Sequence, residues 1–504
     1  MELIKKRIHY VREGKKIFDQ FYVDEEYNVP EAKEDVRRIV DTGTELKIEE
    51  IRPVENYVRI TGKLYFRILY LNVSSDPKPG VLEGKLPFEE MVYAENQEGE
   101  EFYVQNVRIE FTPSLIHSRK LSLRAMVELE VGREKLVDEE TVTDAEGDVP
   151  LYKKMKKVQL LQLEVTKKDT YRIKEEITIP GTKESIGQIL FTDISERKLE
   201  LRPGQDELIV RGELFLFCMY LSGDEKPDWI SQTIPYEGRI PCEGISEEMY
   251  FSIRHTMEDT LTDLRMDEDG EMRILGIEGT LALHMNFYRE ESVELLEDLY
   301  SLQKQCLFDT TEVVCEELLM QNQSKCKVTE RLSLPELKTD VLQILHARGA
   351  IQVEHADRTG EGIRVEGILH LSFLYLRGDD AEPYGSWQGM IPFEHQIECK
   401  EMPEETVYNM EQHIEQLQIT LVGSESVEIK GILTFDTFLR RPVKVWTMEN
   451  VREEPLDLEQ LEKRPSIVGH IVQRGEDLWQ LAKQYMTTKE GIMEVNGMQN
   501  ENVK

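Results

Sequence analysis

Val58–Leu71 reads VRITGKLYFRILYL, Leu208–Leu221 reads LIVRGELFLFCMYL, and Ile363–Leu376 reads IRVEGILHLSFLYL. Each run has a central glycine, at Gly62, Gly212 and Gly367, and ends in a Tyr-Leu pair. In the third run, Ile363, Val365, Leu369, Leu371, Phe373 and Tyr375 share one parity, while Arg364, Glu366, His370 and Ser372 take the other. That alternation is the pattern of an antiparallel strand with one buried and one wet face. A mid-strand glycine marks a bulge or a close backbone approach.

Landmarks around the runs keep register. A proline lies 32 residues before each glycine (Pro30, Pro180, Pro335), and a lysine follows three residues later (Lys33, Lys183, Lys338). Apolar triplets come next: Val36, Ile39, Val40; Ile186, Ile189, Leu190; and Val341, Ile344, Leu345. The i, i+3, i+4 spacing predicts a short amphipathic helix, with the proline in its first turn. Downstream lie the apolar-Pro-aromatic steps Leu86-Pro87-Phe88, Ile234-Pro235-Tyr236 and Ile391-Pro392-Phe393. The chain therefore reads as one module used three times. Boundaries are expected at 15–140, 165–295 and 320–450, with a charged linker at 451–467 and a final segment at 468–504. The fold class is α+β, mainly β: three antiparallel-sheet modules, each with a short helix.

The bulk properties exclude several classes. The 504 residues carry 62 Lys and Arg against 98 Asp and Glu, a net charge of −36, which disfavours nucleic acid and anionic lipid as partners. Lys153, Lys154, Lys156 and Lys157 form the most basic stretch and read as a solvated face. The N-terminus lacks the apolar core of a signal peptide, and no apolar run is long enough for a transmembrane helix. Six cysteines without a CxxC pair read as reduced thiols in a cytoplasmic protein. Cys242 and Cys399 share a module position with Ala94, which points to a small buried site.

No catalytic residue, metal ligand set or cofactor motif is expected. Gly80–Lys85, GVLEGK, lacks P-loop spacing, and HExxH and GxSxG are missing. Asp267–Gly270 reads as a hairpin turn, not a calcium loop. His370 reads as a surface histidine, and His395 and Cys399 have no partners at metal-ligand spacing.

The repeated landmarks, in this order, resemble the SPOCS domain of spore-forming Firmicutes. The last segment, HIVQRGEDLWQLAKQYMTTKEGIMEVNG from His470, suggests a strand, a turn at Gly475, and a helix capped by Asp477 with Gln480 completing a capping box. Thr488 can cap a second helix, which Asn496-Gly497 ends. This segment resembles LysM. The resemblance implies a βααβ fold and an N-acetylglucosamine-containing glycan as ligand. It puts the groove at Gly475, Glu476, Asp477, Leu478 and Trp479 on one side and Asn496, Gly497 and Met498 on the other. The Pro-Gly turn and final strand of that fold do not follow before Lys504, so the domain is expected to lack its last strand.

Three SPOCS repeats followed by LysM are similar to SipL-type spore coat and cortex morphogenetic proteins. That resemblance implies a non-enzymatic scaffold in the mother-cell cytoplasm, at the forespore surface, that tethers coat through the coat ATPase SpoIVA. The alternative is a peptidoglycan-binding cell-wall protein. Trp479 is expected either in the packing or partly exposed as the anchor for a partner.

Overall fold

The structure, a computed structural model, describes every residue except 96–97, 335–340, 424, 458, 460–464, 466 and 502–504. It is almost entirely antiparallel β. The first module comprises β1 (Glu2–Glu13), β2 (Ile17–Asn28), β3 (Val36–Val54), β4 (Tyr57–Asn72), β5 (Pro79–Tyr93), β6 (Glu101–His117) and β7 (Lys120–Glu146). The second runs through β8 (Tyr152–Thr178), β9 (Ile186–Pro203), β10 (Glu207–Ser222), β11 (Pro227–Pro241), β12 (Tyr250–Met266) and β13 (Met272–Tyr300). The third has β14 (Lys304–Ser333), β15 (Val341–Thr359), β16 (Gly362–Arg377), β17 (Tyr384–Glu398), β18 (Val407–Leu421) and β19 (Ser426–Pro455).

Each module is a sandwich. One sheet has the order β3-β4-β5, β9-β10-β11 or β15-β16-β17. The other centres on β7, β13 or β19. In the second module Leu214, Leu216, Cys218 and Tyr220 pack against Leu275, Ile277, Leu281 and Leu283 across the gap. The three glycine-centred runs are the middle strands β4, β10 and β16.

The glycine and the Pro-aromatic step turn out to be one device. Gly62 faces Phe88 across the strands, Gly212 faces Tyr236, and Gly367 faces Phe393. The aromatic ring lies over the glycine, where a Cβ would come 2.8 Å from the Phe88 ring, 2.4 Å from the Tyr236 hydroxyl and 2.7 Å from the Phe393 ring. Covering a strand glycine with a cross-strand ring restores the packing that the missing side chain gives up. The neighbouring strand carries an irregularity beside each glycine, between Ile48 and Glu50, between Arg197 and Glu200, and between Val353 and His355.

The expected module helix does not form. Val36, Ile39 and Val40 lie on β3, Ile186, Ile189 and Leu190 on β9, and Val341, Ile344 and Leu345 on β15. Over the triplet itself each strand shifts register twice more, skipping one residue each time, and Val40, Leu190 and Leu345 are the second residues skipped. A bulge re-aims the side chain of its extra residue. The spacing that imitates a helical face is therefore a twice-bulged strand. Pro30 and Pro180 open turns, their carbonyls accepting from the Lys33 and Lys183 amides at 2.9 Å. Pro335 and Lys338 lie outside the described residues.

Those bulged residues join the modules. Val40, Leu190 and Leu345 meet in one buried cluster with Leu69, Leu71, Phe191, Phe217, Met219, Leu374 and Tyr384, drawn from all three modules. The cluster marks a pseudo-threefold axis. The outer face of each middle strand is thus wet only over its first part, and its last turns pack into this hub. His370 is accordingly half-buried against Gln352, which also accepts from Arg108 of the first module.

Below the sandwiches the long strands continue as three two-stranded ribbons, β1–β7, β8–β13 and β14–β19. Ile8, Val158, Leu160, Val293, Leu295, Val313, Cys315 and Val445 pack them into a common stem. Where stem meets sandwiches, Arg440 is 1% exposed and pairs with Glu316 at 3.0 Å and Glu13 at 3.2 Å. No helix among the described residues is long and apolar enough to cross a membrane.

Candidate functional site

The C-terminal segment forms two short helices, α1 (Leu478–Gln484) and α2 (Lys489–Asn496). Their boundaries follow from local chemistry. Asp477 caps α1 by accepting from the Gln480 amide at 2.8 Å, and the Gln480 side chain accepts in return from the Asp477 amide. Thr488 caps α2 through the Gly491 amide at 2.9 Å. Gly497 ends it in the left-handed region at φ 63°, and the Met498 amide closes the turn on the Met493 carbonyl.

The expected first strand is missing: His470–Gln473 is irregular and has no strand partner among the described residues. A strand without a neighbour leaves its backbone groups to water and gains nothing from extension. His470 instead bridges the Tyr485 hydroxyl at 2.9 Å and the Glu476 carboxylate at 2.8 Å. Glu476 also accepts from the Gln473 amide, and these bonds hold its carboxyl below the usual range.

The eight candidate residues divide between two environments. Gly475, Asn496 and Gly497 are exposed, and Glu476 and Met498 are half-buried. Leu478 and Trp479 are buried, and Trp479 is 7% exposed. The Trp479 ring packs edge-on to Tyr300 at 5.0 Å, and its indole Nε1 donates to Asp298 at 2.7 Å. Lys483 reaches the same carboxylate at 2.5 Å. Asp477 pairs with Lys154 at 3.3 Å, and Tyr300 donates its hydroxyl to the Thr487 carbonyl at 2.9 Å. The tip of the β8–β13 ribbon, with Tyr152, Lys154, Asp298 and Tyr300, is therefore the seat of α1. Burial pushes the Tyr300 phenol up to about 12. Burial alone would lower the Lys154 ammonium, but Asp477 and Glu297 outweigh it and raise the group.

The two loops proposed as groove walls bond to different partners. The Gly475–Leu478 side is tied to His470 and the ribbon. Asn496 donates within α2 to the Ile492 carbonyl at 2.8 Å.

A family model described as SipL, SPOCS domain matches residues 35–112, 185–265 and 340–422, and a LysM domain model matches 470–504. The chain is a SipL-type protein, with three SPOCS domains and a C-terminal LysM domain. No curated protein and no solved structure matches it. SipL-type domains place the protein in sporulation, and LysM is a peptidoglycan-binding domain.

Elsewhere in this SipL-type protein, the residues weighed for other chemistry have structural surroundings. Gly80–Lys85 lies on β5, and Asp267 accepts from the Asp269 and Glu271 amides in the β12–β13 turn, where Gly270 has φ 80°. Cys242, Cys399 and Ala94 are buried, and their amides bond to Asp206, Glu361 and Asn56 in the same way. His395 meets Ser324 at 3.0 Å. Sequence reasoning missed the seams between modules. At one seam Asp41 pairs with Arg348 at 2.6 Å; at another His346 pairs with Asp193 at 2.9 Å and stacks on Phe217 at 4.4 Å. At the third, Arg254 pairs with Glu134 at 2.8 Å. Asp41 and His346 are equivalent repeat positions, so each seam carries its own polar code.

Proposed function

We propose that this SipL-type protein is a non-enzymatic morphogenetic scaffold in the mother-cell cytoplasm that tethers coat to the forespore. Its LysM domain is the end that docks the coat ATPase SpoIVA. The observation that carries this reading is the locked body: three modules share one buried hub, their seams hold distinct ion pairs, and LysM is seated at the end of the stem. Such a body presents several surfaces at fixed spacing, as a scaffold requires. The exposed apolar residues of the C-terminal segment, Ile471 at 89% and Val495 at 86%, suit a protein interface. A glycan site would be expected to offer a ring to the sugar, and the LysM tryptophan faces the ribbon. The test is genetic. Sporulating cells lacking the gene are expected to assemble coat free in the mother cell. A coat that stays on the forespore surface in those cells would overturn the proposal.

A further inference from the structure

We propose that the tip of the β8–β13 ribbon is a built receptor for the LysM helix α1, and that it competes with the LysM ligand. This rests on the reading above that LysM is the ligand-binding end. The receptor is chemically complete. Asp298 follows a register shift between Leu296 and Asp298, where β13 skips one residue against β8. Such a bulge turns the following side chains away from the regular pleat. Both Asp298 oxygens are then used, one by the Trp479 indole and one by Lys483. Tyr300 supplies a ring face to Trp479 and a hydroxyl to Thr487. Tyr152 stacks on Tyr300 at 5.0 Å and backs it from below. Lys154 meets Asp477, so one residue of the lysine-rich stretch is a docking contact. Tyr300, Trp479 and Ala482 close over one another with Leu302 and Ile492 at the margin.

Two of the residues that the ribbon holds, Asp477 and Trp479, belong to the candidate ligand face. A partner that grips them must first displace the ribbon. Apparent affinity falls by the fraction of molecules in the competent, released state. A latch closed in nine molecules of ten therefore weakens binding about tenfold.

The experiment uses the full chain and two ribbon variants, Asp298→Ala and Lys154→Glu. Neither residue lies in LysM, and both have partly exposed side chains. Hydrogen exchange across residues 478–484 reads the latch directly. Titration with purified SpoIVA and with a chitin hexamer reads its effect. Both variants are expected to exchange faster in α1 and to bind SpoIVA about tenfold more tightly. Unchanged exchange in both variants overturns the receptor. Faster exchange with unchanged affinity for both probes overturns the competition. A gain for the chitin hexamer with no SpoIVA binding by any of the three proteins supports the latch and removes the SpoIVA reading.

Discussion

Replacing Arg440 with methionine should unlock the junction between stem and sandwiches. The guanidinium is buried against Glu316 and Glu13, and it also donates to the Tyr288 hydroxyl at 3.3 Å and the Val11 carbonyl at 3.4 Å. Methionine fills much of the volume but removes the guanidinium that bridges the two carboxylates. Breaking a buried ion pair from one side costs about 3–5 kcal/mol, most of it from the stranded charge. Burial already pushes the Glu316 carboxyl up, against the pull of Arg440. Without that pull it rises further, so the folded variant binds a proton more readily than the unfolded chain. The variant's stability should therefore recover as pH falls from 7 toward 5, and its deficit should be largest at neutral pH. A second replacement, Glu316→Gln in the same chain, should restore more than half of the loss. Urea unfolding followed by tryptophan fluorescence at several pH values measures all of this. A loss below about 1 kcal/mol at pH 7, or no recovery in acid, would refute the account of a charge-locked junction.

Four further outcomes follow from the geometry. Gly212→Ala should cost about 1–3 kcal/mol, because the new methyl meets the Tyr236 ring, and the same change at Gly181, where nothing lies within 4 Å, should be nearly neutral by urea unfolding. Burial first, and Arg254 second, hold the His284 imidazole down at about 4; the wild type should lose stability as pH falls from about 6.5 toward 4, and His284→Gln should flatten that slope in the same assay. Burial pushes the Cys218 and Cys315 thiols up to about 12, so an aromatic disulfide reagent should label neither in the native state and both after denaturation. Val40→Asp should loosen the hub and bring protease cleavage between modules, whereas the exposed Leu342→Asp should not, as read by limited proteolysis and mass mapping.

Much of this organisation was legible in the chain. The glycine and the Pro-aromatic step recur because each covers the other, and a recurring pair separated by a hairpin is visible without coordinates. The helix caps were legible for the same reason: Asp477 with Gln480, Thr488 and Gly497 act on backbone within one turn. The apolar triplets misled because two bulges in one strand reproduce helical spacing, and periodicity alone cannot tell the two apart. A signal did exist at the hub. The strand ends RILYL, LFCMYL and SFLYL lose their alternation, which is the mark of burial on both faces. The seat of α1 could not be read, since it joins Trp479 to Asp298 and Tyr300 across long sequence separation. The same holds for the seam pairs, where equivalent positions carry Asp41 in one copy and His346 in another.

The LysM end of this body should dock a coat protein. Titration of the full chain with purified SpoIVA and with a chitin hexamer, in one buffer, tests it most directly. SpoIVA should bind saturably and more tightly when Asp298 is replaced by alanine, and the hexamer should bind weakly or not at all. Tight hexamer binding with no SpoIVA binding would contradict coat docking and make the protein a wall-glycan binder.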